Sequence, residues 1–98
     1  MYSIRKTNQF KKDIKLCAKR NCDLSLLSEA MEILAEDGKL PTKYLPHPLK
    51  GKYKITGVWD GHIEPDWILL WTVEDDDSDE NYEGTIVFVR TGTHSDLF

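Results

Sequence analysis

The chain has 98 residues, of which 40% are hydrophobic and three are tryptophan. This length and composition predict one globular domain and exclude a disordered chain. Because no apolar run approaches the ~20 residues of a membrane span and the N-terminus lacks a signal-peptide core, we expect a cytoplasmic protein. The formal net charge of −4 by itself argues against nucleic-acid binding.

The charge is unevenly distributed along the chain. Residues 74–83, EDDDSDENYE, contain seven acidic residues and no basic one. The remaining residues carry 10 acidic and 13 basic side chains, and twelve of those basic residues lie at or before Lys54. The body of the protein is therefore basic and one segment is strongly acidic, an asymmetry that matters more than the total charge.

The first half of the chain predicts a strand followed by a helix. Residues 2–6 alternate weakly, as a strand does, and Thr7 or Asn8 can cap a helix that runs to about Asn21. The apolar positions of this helix recur on one face: Phe10, Ile14 and Cys17. Four lysines lie on the opposite side: Lys11, Lys12, Lys15 and Lys19. The spacing of Cys17 and Cys22 suits neither a disulfide framework nor a zinc site, so both are interpreted as structural thiols.

A second helix is predicted over residues 24–36. Asp23 can cap its start, and Gly38 suits the position just after its end. Its apolar side is formed by Leu27, Ala30, Met31 and Leu34. Two amphipathic helices with a short link predict a helical hairpin.

The second half predicts strands. Residues 40–51, LPTKYLPHPLKG, hold three prolines and a glycine and predict an irregular loop. Strands are predicted at 52–59, 67–73 and 85–90, the last two joined as a hairpin through the acidic segment. We interpret HIEPDWILLWTV, residues 62–73, as one strand that opens on polar residues. The order β-α-α-β-β-β predicts an α+β domain, with the helices on one face of a small antiparallel sheet and the other face partly open.

Polar residues that carry chemistry lie on these strands and loops. All three histidines fall outside the helices: His47, His62 and His94. Strand parity puts His62, Glu64 and Asp66 on one face, unless the proline between the acids introduces a bulge. Arg90 and His94 share a parity on the last strand and its extension. If the last two strands pair, the group at residues 62–66 and the group formed by Arg90 and His94 meet at one end of the sheet.

This set of residues suits phosphodiester chemistry. Histidine exchanges protons near neutral pH, and arginine offers a fixed fork for phosphate. Without metal-ligand spacing, such a set is typical of a ribonuclease in which the RNA 2′-OH attacks the adjacent phosphate. Surface histidines at a sheet edge are the alternative. A metal hydrolase using the three histidines and Asp66 is a third reading, although its ligand spacings match no known local motif.

Three motifs resemble one known family. In order and spacing, HPLKG at 47–51, HIEPDWILLW at 62–71 and RTGTHSDLF at 90–98 resemble the YafQ branch of the RelE/ParE toxin superfamily. The resemblance is strong over roughly 40–98 and consistent in its helix pattern over 1–39. It implies a RelE-like fold, with two N-terminal helices packed on a small twisted antiparallel sheet. It also implies a single toxin domain over 1–98, with an acidic loop insertion at about 74–84.

The resemblance also implies an activity and partners. Toxins of this kind belong to type II toxin–antitoxin systems, enter the ribosomal A site and cut mRNA there. The implied partners are a DinJ- or RelB-like antitoxin, the ribosome and mRNA, with operator DNA bound only through the antitoxin complex. No membrane, metal or cofactor is expected. The alternative is a non-enzymatic binding protein, either a gyrase inhibitor like the ParE branch or a degenerate toxin acting only in its antitoxin complex.

Family roles transfer to matching positions of this chain. The implied catalytic residues are His47, His62, Asp66, Arg90 and His94, with Arg90 on the scissile phosphate and the general acid and base unassigned. Trp67 and Phe98 are implied to stack on bases, and the lysines of the first helix to contact ribosomal RNA phosphates. The parity of Trp67 with Ile63, Leu69 and Trp71 fits a core position equally well. The acidic insertion is interpreted as a solvated hairpin tip; nucleic-acid mimicry and contact with a basic antitoxin segment are the alternatives.

Overall fold

The structure is a computed structural model that describes residues 1–49, 57–75 and 80–98. Its helices and strands, in chain order, are β1 Ser3–Lys6, α1 Asn8–Lys19, α2 Leu24–Asp37, a 3-10 helix Thr42–Tyr44, β2 His47–Pro48, β3 Trp59–Glu64, β4 Trp67–Glu74, β5 Thr85–Gly92 and α3 His94–Leu97. The strands form one sheet in the order β1-β5-β4-β3-β2. The predicted α+β class is confirmed. Among the described residues, no helix combines the length and apolarity needed to cross a membrane.

The sheet is mixed. Strands β2 to β5 pair antiparallel, as predicted, but β1 pairs parallel with β5. The prediction of a wholly antiparallel sheet is therefore wrong for β1. Strand alternation encodes which face a side chain occupies but not strand direction. The first and last strands become neighbours only in the folded sheet.

Both helices begin and end where local sequence predicts. The side chain of Thr7 accepts a hydrogen bond from the Phe10 N–H at 3.0 Å and caps α1. Asp23 caps α2, which ends at Gly38 with a φ of 75°. Glycine adopts this left-handed conformation without the steric penalty of a side chain.

Two apolar clusters lie on the two faces of the sheet. The helix-side cluster includes Phe10, Leu34, Trp67, Trp71, Ile86 and Phe88. The second cluster consists of Val58, Ile68, Leu70, Val87, Val89 and Leu97. Since Leu97 belongs to α3, this short helix covers part of the face that the helix pair leaves open, and we call this second face the open face.

The stretch HIEPDWILLWTV is not one strand. β3 ends at Glu64, β4 begins at Trp67, and these two residues pair across a turn formed by Pro65 and Asp66. Proline has no N–H for the ladder, and proline followed by aspartate favours a turn. The predicted parity of Asp66 with His62 is therefore wrong, because Asp66 lies on a hairpin tip.

Two other regions differ from expectation or fall partly outside the described residues. The loop predicted over 40–51 contains a 3-10 helix and the two-residue strand β2. Most of the strand predicted at 52–59 lies outside the described residues, and β3 begins at Trp59. The acidic segment does connect β4 to β5, but residues 76–79 of it also lie outside the described ranges.

Candidate active site

A row of paired residues crosses four strands of the open face. His47 on β2 pairs with Asp60 on β3, Asp60 pairs with Leu70 on β4, and Leu70 pairs with Arg90 on β5. Directly paired residues of neighbouring strands project from the same face. His62 follows Asp60 by two positions and shares that face. The sheet register therefore brings His47 and His62 to one surface and places the Cα of Arg90 in the same row, at a register shift between Leu70 and Trp71.

The β3–β4 turn and α3 meet beside this row. His94 is the first residue of α3, and the Oδ1 atom of Asp66 accepts hydrogen bonds from the His94 backbone N–H at 2.9 Å and from its Nδ1 at 2.6 Å. His94 does meet Asp66 and His62 at one end of the sheet. His94 lies in a helix and not on a strand extension, because Thr93 and Asp96 form a capping box.

All three imidazoles are anchored through the same nitrogen. Nδ1 of His94 contacts the Asp66 carboxylate, Nδ1 of His62 lies 3.3 Å from the Pro65 carbonyl oxygen, and Nδ1 of His47 lies 3.1 Å from the carbonyl oxygen of residue 45. These oxygens only accept hydrogen bonds, so we assign the Nδ1 proton in each ring from its partner. Nε2 is then the atom of each histidine that exchanges a proton with a substrate.

Two of the histidines, His47 and His94, line a cleft, and His62 lies beside His94. The rings of His62 and His94 have centroids 5.6 Å apart. A cavity of about 590 Å³ is lined by His47, Leu49, Asp60, His94, Leu97 and Phe98. Phe98 is 53% exposed, so its ring is accessible at the edge of this cleft. Stacking of Phe98 on a base stays a prediction.

Asp60 belongs to this site, although the sequence reasoning missed it. It is 5% exposed, and its Oδ1 atom has no hydrogen-bond partner in the part of the chain that the structure describes. Nδ1 of His47 lies only 3.0 Å from that oxygen, but its N–H is directed at the residue 45 carbonyl. Burial raises the pKa of Asp60, whereas His47, His62 and His94 each oppose that shift. The signal available in the sequence was an acid two positions before His62.

Two carboxylates, the exposed Asp66 and the half-buried Asp96, are held in their charged form. Hydrogen bonds from the backbone and ring of His94 lower the pKa of Asp66. Arg20, just after α1, contacts Asp96 at 2.6 Å and holds the pKa of that carboxyl well below its usual range. This ion pair ties the end of α1 to the helix that carries His94.

The Asp96 ion pair predicts acid-sensitive stability. Because its folded-state pKa lies below the ordinary value of about 3.9, the unfolded chain takes up the proton first as the pH falls below about 5. The stabilisation is present above that range and is lost as the pH falls toward the folded-state pKa. The free energy of unfolding of Asp96→Asn, measured in urea at about pH 7 and about pH 3, should therefore change less than that of the wild type. Equal changes in both proteins would contradict this role.

The backbone of Arg90 lies in this row, but its side chain is already bound by α1. Its Nε and Nη2 atoms each donate to the carboxylate of Asp13 on α1, at 3.0 Å. Binding of the scissile phosphate by Arg90 stays a prediction. Asp13 is a second residue that the sequence reasoning missed.

Trp67 is a core residue. It is 5% exposed, belongs to the helix-side cluster with Leu69 and Trp71, and donates from Nε1 to Thr91 Oγ1 at 2.9 Å. The burial of Trp67 argues against the stacking role implied for it. The alternative from parity, a core position, is confirmed.

We expect Trp67→Phe to lower stability and to leave the chemistry intact. The substitution keeps an aromatic ring in the core but removes the hydrogen bond to Thr91, which lowers the free energy of unfolding by about 1–2 kcal/mol. Thermal unfolding and the cleavage rate per folded molecule should be measured together. Loss of cleavage by a fully folded Trp67→Phe protein would restore a substrate-binding role.

The remaining predicted residues lie away from the cleft. The lysines of α1 are all exposed and face solvent, as predicted: Lys11, Lys12, Lys15 and Lys19. Both cysteines are free, and burial raises the pKa of the Cys17 thiol to about 11. Within the described ranges, no group of three histidine, cysteine or acidic side chains is arranged to hold a metal ion.

Comparison with known proteins agrees with this architecture. The family model for the bacterial toxin of type II toxin–antitoxin systems, YafQ, matches residues 2–98. The mRNA interferase toxin YafQ of Escherichia coli K12 is 40% identical over 96 residues, covering 97% of this chain and 94% of that protein. The crystal structure of YafQ from E. coli BL21(DE3) superposes with a TM-score of 0.83 at 36% identity and covers 100% of this chain and 99% of that one.

A further solved relative is a complex. The E. coli DinJ–YafQ toxin–antitoxin structure matches with a TM-score of 0.82 at 39% identity, covering 99% of this chain and 97% of that one. The fold and site thus define a small toxin of the RelE-like class. The chain belongs to the YafQ family of bacterial type II toxins.

Proposed function

We propose that this chain is a ribosome-dependent endoribonuclease that cuts mRNA in the A site by metal-independent acid–base catalysis and so inhibits translation. The observation that carries the proposal is a set of three histidines, each anchored through Nδ1, of which His47 and His94 line one open cleft and His62 lies against His94. The E. coli relative carries the name mRNA interferase. The alternative of a non-enzymatic toxin-fold binding protein has no such support.

In the proposed reaction His94 is the general acid. Asp66 stays charged because hydrogen bonds from His94 lower its pKa. A charged carboxylate at Nδ1 stabilises the imidazolium form of a histidine, as in other carboxylate–histidine pairs. His94 then donates its Nε2 proton to the departing 5′ oxygen.

His62 is the proposed general base. Its Nδ1 proton points to a neutral carbonyl, which leaves the lone pair of Nε2 to remove the proton of the 2′-OH. The 2′ oxygen attacks phosphorus, the bond to the 5′ oxygen breaks, and a 2′,3′-cyclic phosphate forms. His47, held beside the buried charge of Asp60, and Arg90 stabilise the negative charge that develops on the phosphate.

The side chains proposed to contact RNA are those that are exposed to solvent. Phe98, at the edge of the cleft, is the proposed stacking partner for a base. The exposed lysines of α1 contact ribosomal RNA phosphates: Lys11, Lys12, Lys15 and Lys19. We include no stacking role for Trp67.

We further propose that a DinJ-like antitoxin binds and neutralises this toxin, because a relative is found in complex with DinJ. Operator DNA is contacted only through that complex, and the protein acts in the cytoplasm. Residues 1–98 act as one toxin domain. The acidic segment at about 74–84 is an insertion within that domain.

The proposal is tested by offering the purified protein the same mRNA free and bound in translating ribosomes. Cleavage is expected only on the ribosome, and His94→Ala should abolish it. Ser95→Ala, which changes the exposed neighbour of His94 on α3, is the matched control and should cut like the wild type. Intact mRNA with a folded wild type on translating ribosomes would refute the proposal.

A further inference from the structure

Asp13 is a buried acid on a helix face that otherwise contributes to the core. It is 5% exposed and lies on the same side of α1 as Phe10 and Cys17. Its carboxylate accepts hydrogen bonds from Gln9 Nε2 at 3.1 Å, Arg90 Nε at 3.0 Å, Arg90 Nη2 at 3.0 Å and the Thr91 N–H at 3.2 Å. The four donors make Asp13 a well-satisfied charge in a position where an apolar residue would pack.

The end of β1 explains how a helix residue reaches Arg90. β1 stops at Lys6, opposite Phe88, so the edge of β5 is not covered by a strand beyond that point. Asp13 accepts from the backbone N–H of Thr91 on this edge. The Cα of Arg90 pairs with Leu70 of the open face, while its guanidinium is bound by α1 at the edge of β5. Asp13 therefore connects α1 to the part of β5 that carries Arg90.

We propose that Asp13 is the positioning residue for Arg90, which rests on the proposed function of this site. A guanidinium has five N–H donors in a rigid plane, and a carboxylate that binds Nε and Nη2 fixes the orientation of that plane. The positive charge is then in place before phosphate charge develops, and the flexible arginine need not be ordered during the reaction. A buried ion pair is weak evidence for a stabilising role, which favours the positioning role.

The test is a double-mutant cycle on cleavage of ribosome-bound mRNA. Asp13→Asn keeps the shape of the side chain and removes its charge. We expect kcat to fall by about tenfold or more with KM within about twofold, because positioning acts on the transition state and not on ribosome binding. In an Arg90→Ala background, Asp13→Asn should lower kcat no further, since Asp13 acts only through Arg90.

A matched control removes another acid bound to an arginine. Glu74 binds Arg5 on the sheet at 3.1 and 3.2 Å, and Glu74→Gln should leave kcat and KM unchanged. If Asp13→Asn fails to fold, Gln9→Ala is the variant to measure. It removes one hydrogen-bond donor to Asp13 and leaves the ion pair between Asp13 and Arg90. Gln9→Ala should then lower kcat severalfold in the wild type and not at all in Arg90→Ala.

The outcomes separate this inference from the proposed function. Loss of kcat that disappears in the Arg90→Ala background supports it. An unchanged kcat, or an equal loss in both backgrounds, overturns it and leaves Asp13 a structural residue. A folded wild type that cuts no ribosome-bound mRNA overturns the proposed function and this inference together.

Discussion

Replacing Asp66 with alanine is expected to lower the rate of mRNA cleavage by about a thousandfold, in the range found when an orienting carboxylate is removed from a catalytic histidine. One oxygen of Asp66 accepts from both the backbone N–H and the ring of His94. Without it, the ring is free to rotate and the proposed general acid loses the carboxylate that orients it. Asp66→Asn retains an oxygen that can accept the hydrogen bond from the His94 backbone N–H, so it should lose less cleavage activity than Asp66→Ala.

The measurement is a single-turnover cleavage rate on mRNA in translating ribosomes. Glu64→Ala is the matched control, because Glu64 is an exposed acid on the same β3–β4 hairpin. It should cleave at the wild-type rate. If Asp66→Ala and Glu64→Ala behave alike, the carboxylate–histidine pair has no part in catalysis.

Asp60→Asn is expected to change activity and stability in opposite directions. The carboxylate of Asp60 is buried, lies 3.0 Å from Nδ1 of His47, and lacks a hydrogen bond at Oδ1 among the described residues. Neutralising it removes the counter-charge of His47, which should lower cleavage by about tenfold to a hundredfold. It also removes the penalty of an ionised buried group, which should raise the free energy of unfolding by about 1 kcal/mol at neutral pH.

The sign of the stability effect follows from the pKa of Asp60. Because burial raises that pKa, the folded state binds the proton more readily than the unfolded state. The contribution of Asp60 to the free energy of unfolding of the wild type is therefore lost as the pH rises through its folded-state pKa. Asp60→Asn should remove that part of the pH dependence in urea unfolding. Asp66→Asn, in which the pKa of the lost carboxyl is lowered, is the control and should bring no gain. A destabilised Asp60→Asn protein would contradict this account.

The helices and two strands were predictable because their signals are local. Thr7, Asp23 and Gly38 mark helix ends by their own side chains or by the lack of one. The apolar alternation of β4 and β5 lies in consecutive residues. The motif residues were found through the family resemblance, which supplied positions that composition alone leaves as surface histidines.

The missed features depend on partners that lie far along the chain. In the sequence, Asp13 is one charged residue on an amphipathic helix. Its ion pair with Arg90 forms only in the folded protein. Asp60 is brought next to His47 only by the pairing of β2 with β3, which the sequence does not reveal. The parallel direction of β1 has no sequence signal of its own. The turn at Pro65 was readable in principle, but the long apolar run after it favoured a single strand.

The most direct measurement is growth after induction of the wild type beside His94→Ala, with mRNA 5′ ends mapped in both cultures. We expect growth arrest with cuts in register with codons for the wild type, and neither arrest nor cuts for the mutant. Arrest in both cultures with intact mRNA would contradict this expectation and would indicate an inhibitor that acts by binding alone.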